Sequence, residues 1–133
     1  MPDPLRYGFK KTIEGSIDDV EARTEDALAA EGFGVLTRID VAATLKKKLD
    51  VDFREYRILG ACNPALAHQA LTQEDDIGLL LPCNVVVYTD DTPGRVVISI
   101  LDPVEQLGVA GRADLEPLAE EVRDRMRRVL NRV

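Results

Sequence analysis

Two apolar runs joined by a short turn constrain the fold of this chain more than any other feature. The first is CNVVVY, from Cys83 to Tyr88, and the second is RVVISIL, from Arg95 to Leu101. The segment between them, Thr89 to Gly94, contains the Asp, Pro and Gly that are typical of a hairpin turn. A strand that is apolar on both sides is usually covered on both faces of its sheet. We therefore predict a hairpin within a sheet whose two faces are both covered.

The rest of the chain predicts three more strands and four helices around this hairpin. Strands are predicted over Tyr7 to Ile13, Phe33 to Ile39 and Phe53 to Ala61, the second with a clean alternation of side chains. Helices are predicted to begin after Ser16, Asp40, Asn63 and Asp114, whose side-chain oxygens can cap a helix. Loops are predicted at Glu74 to Asp76 and, after a stop at Asp102-Pro103, in the glycine-bearing segment that follows.

This order of elements predicts an α+β fold in a single domain that covers residues 1–133. A long crossover helix, a hairpin and a terminal helix favour two layers, in which a mostly antiparallel sheet carries its helices on one face. The other sheet face is then left open. Because the strand from Cys83 to Tyr88 is apolar on that face too, we predict that a second copy of the chain covers it, in a homodimer.

Charge and hydropathy exclude two classes of partner. The chain has 17 basic and 24 acidic residues, a net charge of -7, which opposes binding to nucleic acid. No apolar run approaches the roughly 20 residues that span a bilayer, and the N-terminal segment MPDPLRYGFKK lacks the apolar core of a signal peptide. Two cysteines and no export signal predict a cytoplasmic protein.

The segment from Arg57 to Tyr88 contains both cysteines, the only histidine and two Cys-Asn pairs, each pair beside a proline. Ligand sites often lie where special side chains gather at the ends of strands. The candidate ligand-binding residues are Cys62, Asn63, His68, Cys83 and Asn84.

Cys62 has a functional and a structural interpretation, and both cysteines enter the question of a metal site. Cys62 falls between a strand and a helix N-terminus, where the helix dipole can favour a thiolate, but a free cysteine at a strand end is more often a small buried side chain. Together with His68, Cys62 and Cys83 would offer three zinc-type donors, without any CxxC pair and with poor convergence along the helix. We therefore predict no metal and no cofactor.

The remaining candidates also have structural explanations. Asn63-Pro64 is a strong helix-start pair, because Asn is a favoured cap and Pro is favoured at the first helical position. His68 has no nucleophile or carboxylate at a spacing that marks a catalytic pair. Asn84 lies on an otherwise apolar strand, where it is either a structural tether or a group that lines a pocket.

Three segments of the chain resemble a known family. VDFREYRILGACNPALAHQAL (51–71), IGLLLPCNVVVY (77–88) and VISILDP (97–103) look like the family catalogued as domain of unknown function 302. The resemblance implies a two-layer α+β fold similar to a single TATA-binding-protein-like repeat, and homodimers. It carries over no catalytic residue and no DNA binding.

The leading hypothesis is a small cytoplasmic homodimeric domain that binds a small ligand or a protein partner near the Cys-Asn pairs. One alternative is a thiol-dependent enzyme that uses Cys62 as a thiolate. The other is a purely structural module, in which these residues only shape strand ends and the dimer surface.

Overall fold

The structure is a computed structural model that describes residues 5–133. Its five strands form one antiparallel sheet in the order β1-β5-β4-β3-β2. The strands are β1 (Gly8–Glu14), β2 (Gly34–Asp40), β3 (Tyr56–Cys62), β4 (Cys83–Thr89) and β5 (Arg95–Leu101). The predicted hairpin is the β4–β5 pair, and the α+β fold is confirmed.

Five helices connect or follow these strands. They are α1 (Ile17–Ala30), α2 (Val41–Leu49), α3 (Pro64–Gln73), α4 (Pro103–Gly108) and α5 (Glu116–Arg132). The first three begin where the sequence predicts, because the side chains of Ser16, Asp40 and Asn63 each accept a hydrogen bond from the backbone N–H three residues later.

The central strands of the sheet are those of the hairpin and β3. The α1 crossover carries the chain from β1 at one edge to β2 at the other. The predicted alternation from Phe33 to Ile39 is interrupted, because the pairing of β2 with β3 shifts register between Val35 and Thr37. This bulge leaves the Leu36 side chain 67% exposed.

Two hydrophobic clusters lie on the helix side of the sheet. The larger cluster joins alternate residues of β3, β4 and β5, such as Leu59, Val85 and Ile98, to α1 and α5. The smaller cluster joins α3, α4 and α5 around Ile77 and Leu115. The sheet face opposite the helices is open in the single chain.

Three predictions about the second half of the chain are wrong. Glu74 to Asp76 is not a loop, because the chain forms a 3₁₀ helix from Asp75–Leu80. The strand does end at Asp102-Pro103 as predicted, but the segment that follows is not simply a loop, because α4 begins there, with the Asp102 carboxylate accepting from the Val104 N–H. Asp114 does not cap the last helix; its carboxylate binds the Arg112 guanidinium instead.

Candidate functional site

A cavity of about 290 Å³ lies between the ends of β2, β3 and β4 and the helices α3, α4 and α5. It opens at the seam between the two hydrophobic clusters, so its wall includes Phe33 and Cys83 from the larger cluster and Leu107 and Leu118 from the smaller one. The wall is almost wholly apolar. Leu36 and Leu71, which are 67% and 41% exposed, also line it and leave apolar surface in contact with solvent.

Helix α3 forms one side of the cavity because of how it begins. Asn63 Oδ1 accepts from the Leu66 N–H at 3.1 Å, and Pro64 occupies the first turn. This start directs Leu66, Ala67, Ala70 and Leu71 to the cavity, a face that recurs once per helical turn. The Asn63-Pro64 pair therefore determines which side chains α3 presents to the cavity.

Asn63 is itself part of the cavity wall and is only 9% exposed. Its amide nitrogen lies beneath Gly32, where the Cβ of any other residue would come 2.8 Å from Nδ2. Gly32 also has φ +86°, a left-handed conformation that glycine adopts without strain. The turn after α1 thus makes room for the Asn63 amide.

Both cysteines line the cavity, and both thiols are free. Burial raises the pKa of the Cys62 thiol. Burial and then the proximity of Cys62 raise the pKa of Cys83 to about 11, although its hydrogen bond to Gln106 acts in the opposite direction. Both thiols are therefore protonated at neutral pH, which disfavours a role as nucleophile.

Gln106 of α4 fixes the segment before β4. Its side chain is buried, with Oε1 accepting from Cys83 Sγ at 3.2 Å and Nε2 donating to the carbonyl oxygens of Leu80 and Pro82. Leu81, Pro82 and Cys83 all line the cavity. The sequence does not single out Gln106, because its segment is predicted to be a loop. The Asp-Pro pair at 102–103, like Asn63-Pro64, was the available signal for a helix there.

The five predicted site residues do not form one group. Cys62, Asn63 and Cys83 line the cavity together. Asn84 lies on the opposite sheet face, because adjacent residues of a strand alternate between faces. His68 is exposed on α3 and is not part of the cavity wall in the part of the chain that the structure describes.

The middle of the open sheet face is apolar and aromatic, whereas Lys10, Asn84 and Ser99 add polar groups to it. Tyr56 and Tyr88 stack with their ring centroids 5.1 Å apart and an interplanar angle of 10°. Asn84 and Val86 border the same shallow groove, as does Lys10. Burial, and then the proximity of Tyr88 and Tyr7, raise the pKa of Tyr56.

The arrangement of metal-binding side chains and the character of the helices show whether a metal site or a membrane span is present in residues 5–133. Within residues 5–133, no three or more His, Cys, Asp or Glu side chains are arranged so that they could hold a metal ion. Over the same residues, no helix combines the length and apolar character needed to cross a bilayer.

Known proteins similar to this chain include a family and a solved structure with the same fold. Residues 9–133 match the family model described as domain of unknown function DUF302. The crystal structure of an uncharacterized conserved protein DUF302 from Bacillus stearothermophilus is similar to this chain, with a TM-score of 0.88 and 29% sequence identity. The match covers 96% of this chain and 98% of that chain. No curated protein matches the chain.

Proposed function

This chain belongs to the DUF302 family. We propose that it is a small cytoplasmic domain and that it binds a small apolar molecule in the cavity beside α3. The observation that carries the proposal is the cavity itself, about 290 Å³ with an almost wholly apolar wall. Ligand sites in proteins are typically of this size and character, with a few polar groups at defined places. Here Cys62 and Asn63 supply such groups. Two free thiols suit the reducing cytoplasm.

Filling the cavity is expected to abolish ligand binding without unfolding the protein. Ala67 lines the cavity and is only half-buried, so Ala67→Phe places a ring inside with little strain on the core. The neutral dye N-phenyl-1-naphthylamine, whose fluorescence rises in apolar surroundings, is the probe. We expect the wild type to bind it, and Ala67→Phe to bind it at least ten-fold more weakly.

Ala65→Phe is the matched control, because Ala65 is exposed on the same helix and is not part of the cavity wall. It should bind the dye within two-fold of the wild type. Equal binding by Ala67→Phe and the wild type would exclude the cavity as the site, and a wild type that binds no dye would refute the proposal.

We further propose that two copies of the chain associate through the open sheet face. Five strands about 4.8 Å apart, with seven residues of about 3.3 Å each, give a face of roughly 500 Å². Phe53, which is 50% exposed and packs on Tyr56, extends this face. Such a face approaches the roughly 800 Å² per partner of a standard interface.

A charge at the centre of this face is expected to separate the two copies. Val86→Lys places an ammonium group beside Tyr56 and Tyr88, where pairing would bury it without a partner. By sedimentation velocity, the wild type should have twice the chain mass of 14.7 kDa, and Val86→Lys the mass of one chain. Gln69→Lys, an equal charge change at an exposed position, should remain a dimer. A monomeric wild type, or a dimeric Val86→Lys, would contradict this interface.

The thiol-dependent alternative has less physical support. A catalytic thiol needs a lowered pKa, whereas burial raises the pKa of Cys62 and that of Cys83. The structural-module alternative leaves the cavity without a role, because a core that served packing alone would gain free energy by filling it. Ligand binding accounts for the cavity.

A further inference from the structure

The cavity wall carries no charge. Its sixteen side chains within residues 5–133 are apolar or neutral and polar, with no Lys, Arg, His, Asp or Glu among them. An ionised ligand group would lose its water there, which costs free energy, and no lining side chain would offer it a counter-ion. The guanidinium nearest to Asn63, that of Arg125, lies outside the wall and already binds the Glu31 carbonyl and the Glu121 carboxylate. A neutral ligand pays no such cost, so the wall selects against carboxylates, phosphates and ammonium groups.

The wall is also aliphatic rather than aromatic. Phe33 is the single aromatic side chain that lines it within the same residues, whereas Leu66, Leu107, Leu118 and Val122 form much of the remainder. Such a wall can hold an aromatic molecule by hydrophobic contact alone, but it has no pair of rings for that molecule to stack between. Branched side chains fit instead against an aliphatic chain or ring, which gains dispersion contacts on all sides.

Each polar group that remains available in the cavity can donate a hydrogen bond, and the Asn63 amide nitrogen can only donate. Asn63 Oδ1 already accepts from the Leu66 N–H, so the Nδ2 amide is the part of that side chain left for a ligand. The Cys83 thiol already donates to Gln106. Cys62 and Thr37 also line the cavity, and the side chains of both can donate as well as accept. Cys62 ends β3 and Asn63 follows it, whereas Thr37 lies in the middle of the neighbouring β2.

Building on the proposed function, we infer that the ligand is a neutral aliphatic molecule with an oxygen acceptor, such as a carbonyl, that binds beside Asn63. Its hydrocarbon part lies along α3 and reaches toward Leu107 and Leu118. Asn63 then has two roles: its Oδ1 begins α3 and its Nδ2 binds the ligand oxygen.

Three eight-carbon compounds of different charge test the ligand class. Neutral 2-octanone, anionic octanoate and cationic octylammonium compete with N-phenyl-1-naphthylamine for the wild type at pH 7.5. We expect 2-octanone to displace the dye at a concentration at least ten-fold lower than either ion. Displacement by octanoate or octylammonium at the same concentration as 2-octanone would overturn the inference and leave the cavity as a binding site. A dye that does not bind the wild type would refute the proposed function as well.

Replacing the amide but keeping the cap tests the role of Asn63. Ser is also a favoured helix cap, so Asn63→Ser keeps the start of α3 and removes Nδ2. We expect about a ten-fold weaker displacement by 2-octanone, whereas the dye, which carries no oxygen, binds within two-fold of its wild-type affinity. Asn131→Ser, at an exposed position of α5, is the matched control and should change neither value. If Asn63→Ser leaves the 2-octanone affinity unchanged, Asn63 is not the donor and the inference is wrong.

Discussion

Replacing Gln106 by alanine is expected to lower the free energy of unfolding by about 3 kcal/mol, since two partly buried carbonyl groups lose their donor and a buried thiol loses its acceptor. Gln106 is 7% exposed, and its Nε2 donates to the carbonyl oxygens of Leu80 and Pro82. The Cys83 thiol loses its acceptor as well. Each buried polar group left without a partner costs about 1–3 kcal/mol. Urea unfolding followed by circular dichroism measures the difference.

Gln106→Glu separates hydrogen bonding from packing. Glutamate has nearly the same shape, but its ionised carboxylate offers only acceptors to the Leu80 and Pro82 oxygens. We expect it to destabilise the protein at pH 7 at least as much as alanine does. Gln69→Ala, at an exposed position of α3, should change stability by less than about 0.5 kcal/mol. If Gln106→Ala changed the free energy of unfolding as little as Gln69→Ala does, Gln106 would not hold the segment before β4.

Local sequence patterns predict those elements whose ends are determined by their own side chains. The hairpin strands are apolar runs around a turn, and β5 has the bounds that its sequence predicts. Ser16, Asp40 and Asn63 cap their helices through bonds to residues three positions away. Such contacts depend on neighbouring residues alone, so a single sequence is enough to predict them.

Contacts between distant segments escape this kind of prediction. Gln106 binds backbone atoms that lie 24 and 26 residues earlier in the chain, and no local pattern indicates which carbonyls need a donor. Helix α4 has only six residues and ends near Gly108, so its periodicity is too short to distinguish it from a loop. Asp114 has the right residue type for a cap, but Arg112 competes for its carboxylate.

The candidate site was partly predictable. Clustering in the sequence brought Cys62, Asn63 and Cys83 together, and the structure places all three in one cavity wall. The period of two along a strand already separates Cys83 from Asn84. The leucines from α4 and α5 complete the cavity, and their convergence depends on how the two hydrophobic clusters meet. A sequence pattern shows that those side chains are apolar without showing that a gap remains between them.

The ion pair between Asp102 and Arg123 ties the start of α4 to α5. Both carboxylate oxygens of Asp102 accept from the Arg123 guanidinium, at 2.9 and 2.7 Å, and Oδ1 also accepts from the Val104 N–H. Asp102 is 8% exposed. Burial by itself would raise the pKa of Asp102, but the hydrogen bonds from Arg123 and Val104 outweigh it and hold the pKa below its ordinary value. This pair orients the helix that carries Gln106.

Asp102→Ala is expected to lower the free energy of unfolding by about 3 kcal/mol at pH 7, because it removes a charged hydrogen-bond acceptor and a helix cap together. Asp102→Asn retains an acceptor for Val104 and should lower the free energy of unfolding by about 2 kcal/mol.

Unfolding in urea at several pH values also tests the charge of Asp102. The folded protein holds Asp102 ionised to lower pH than the unfolded chain, whose carboxyl titrates near its ordinary pKa of 3.8. The stabilisation is therefore complete well above pH 4 and is lost as the pH falls through the folded-state pKa. The stability difference between the wild type and Asp102→Asn should shrink over that range, and a difference independent of pH would show that the carboxylate charge contributes nothing.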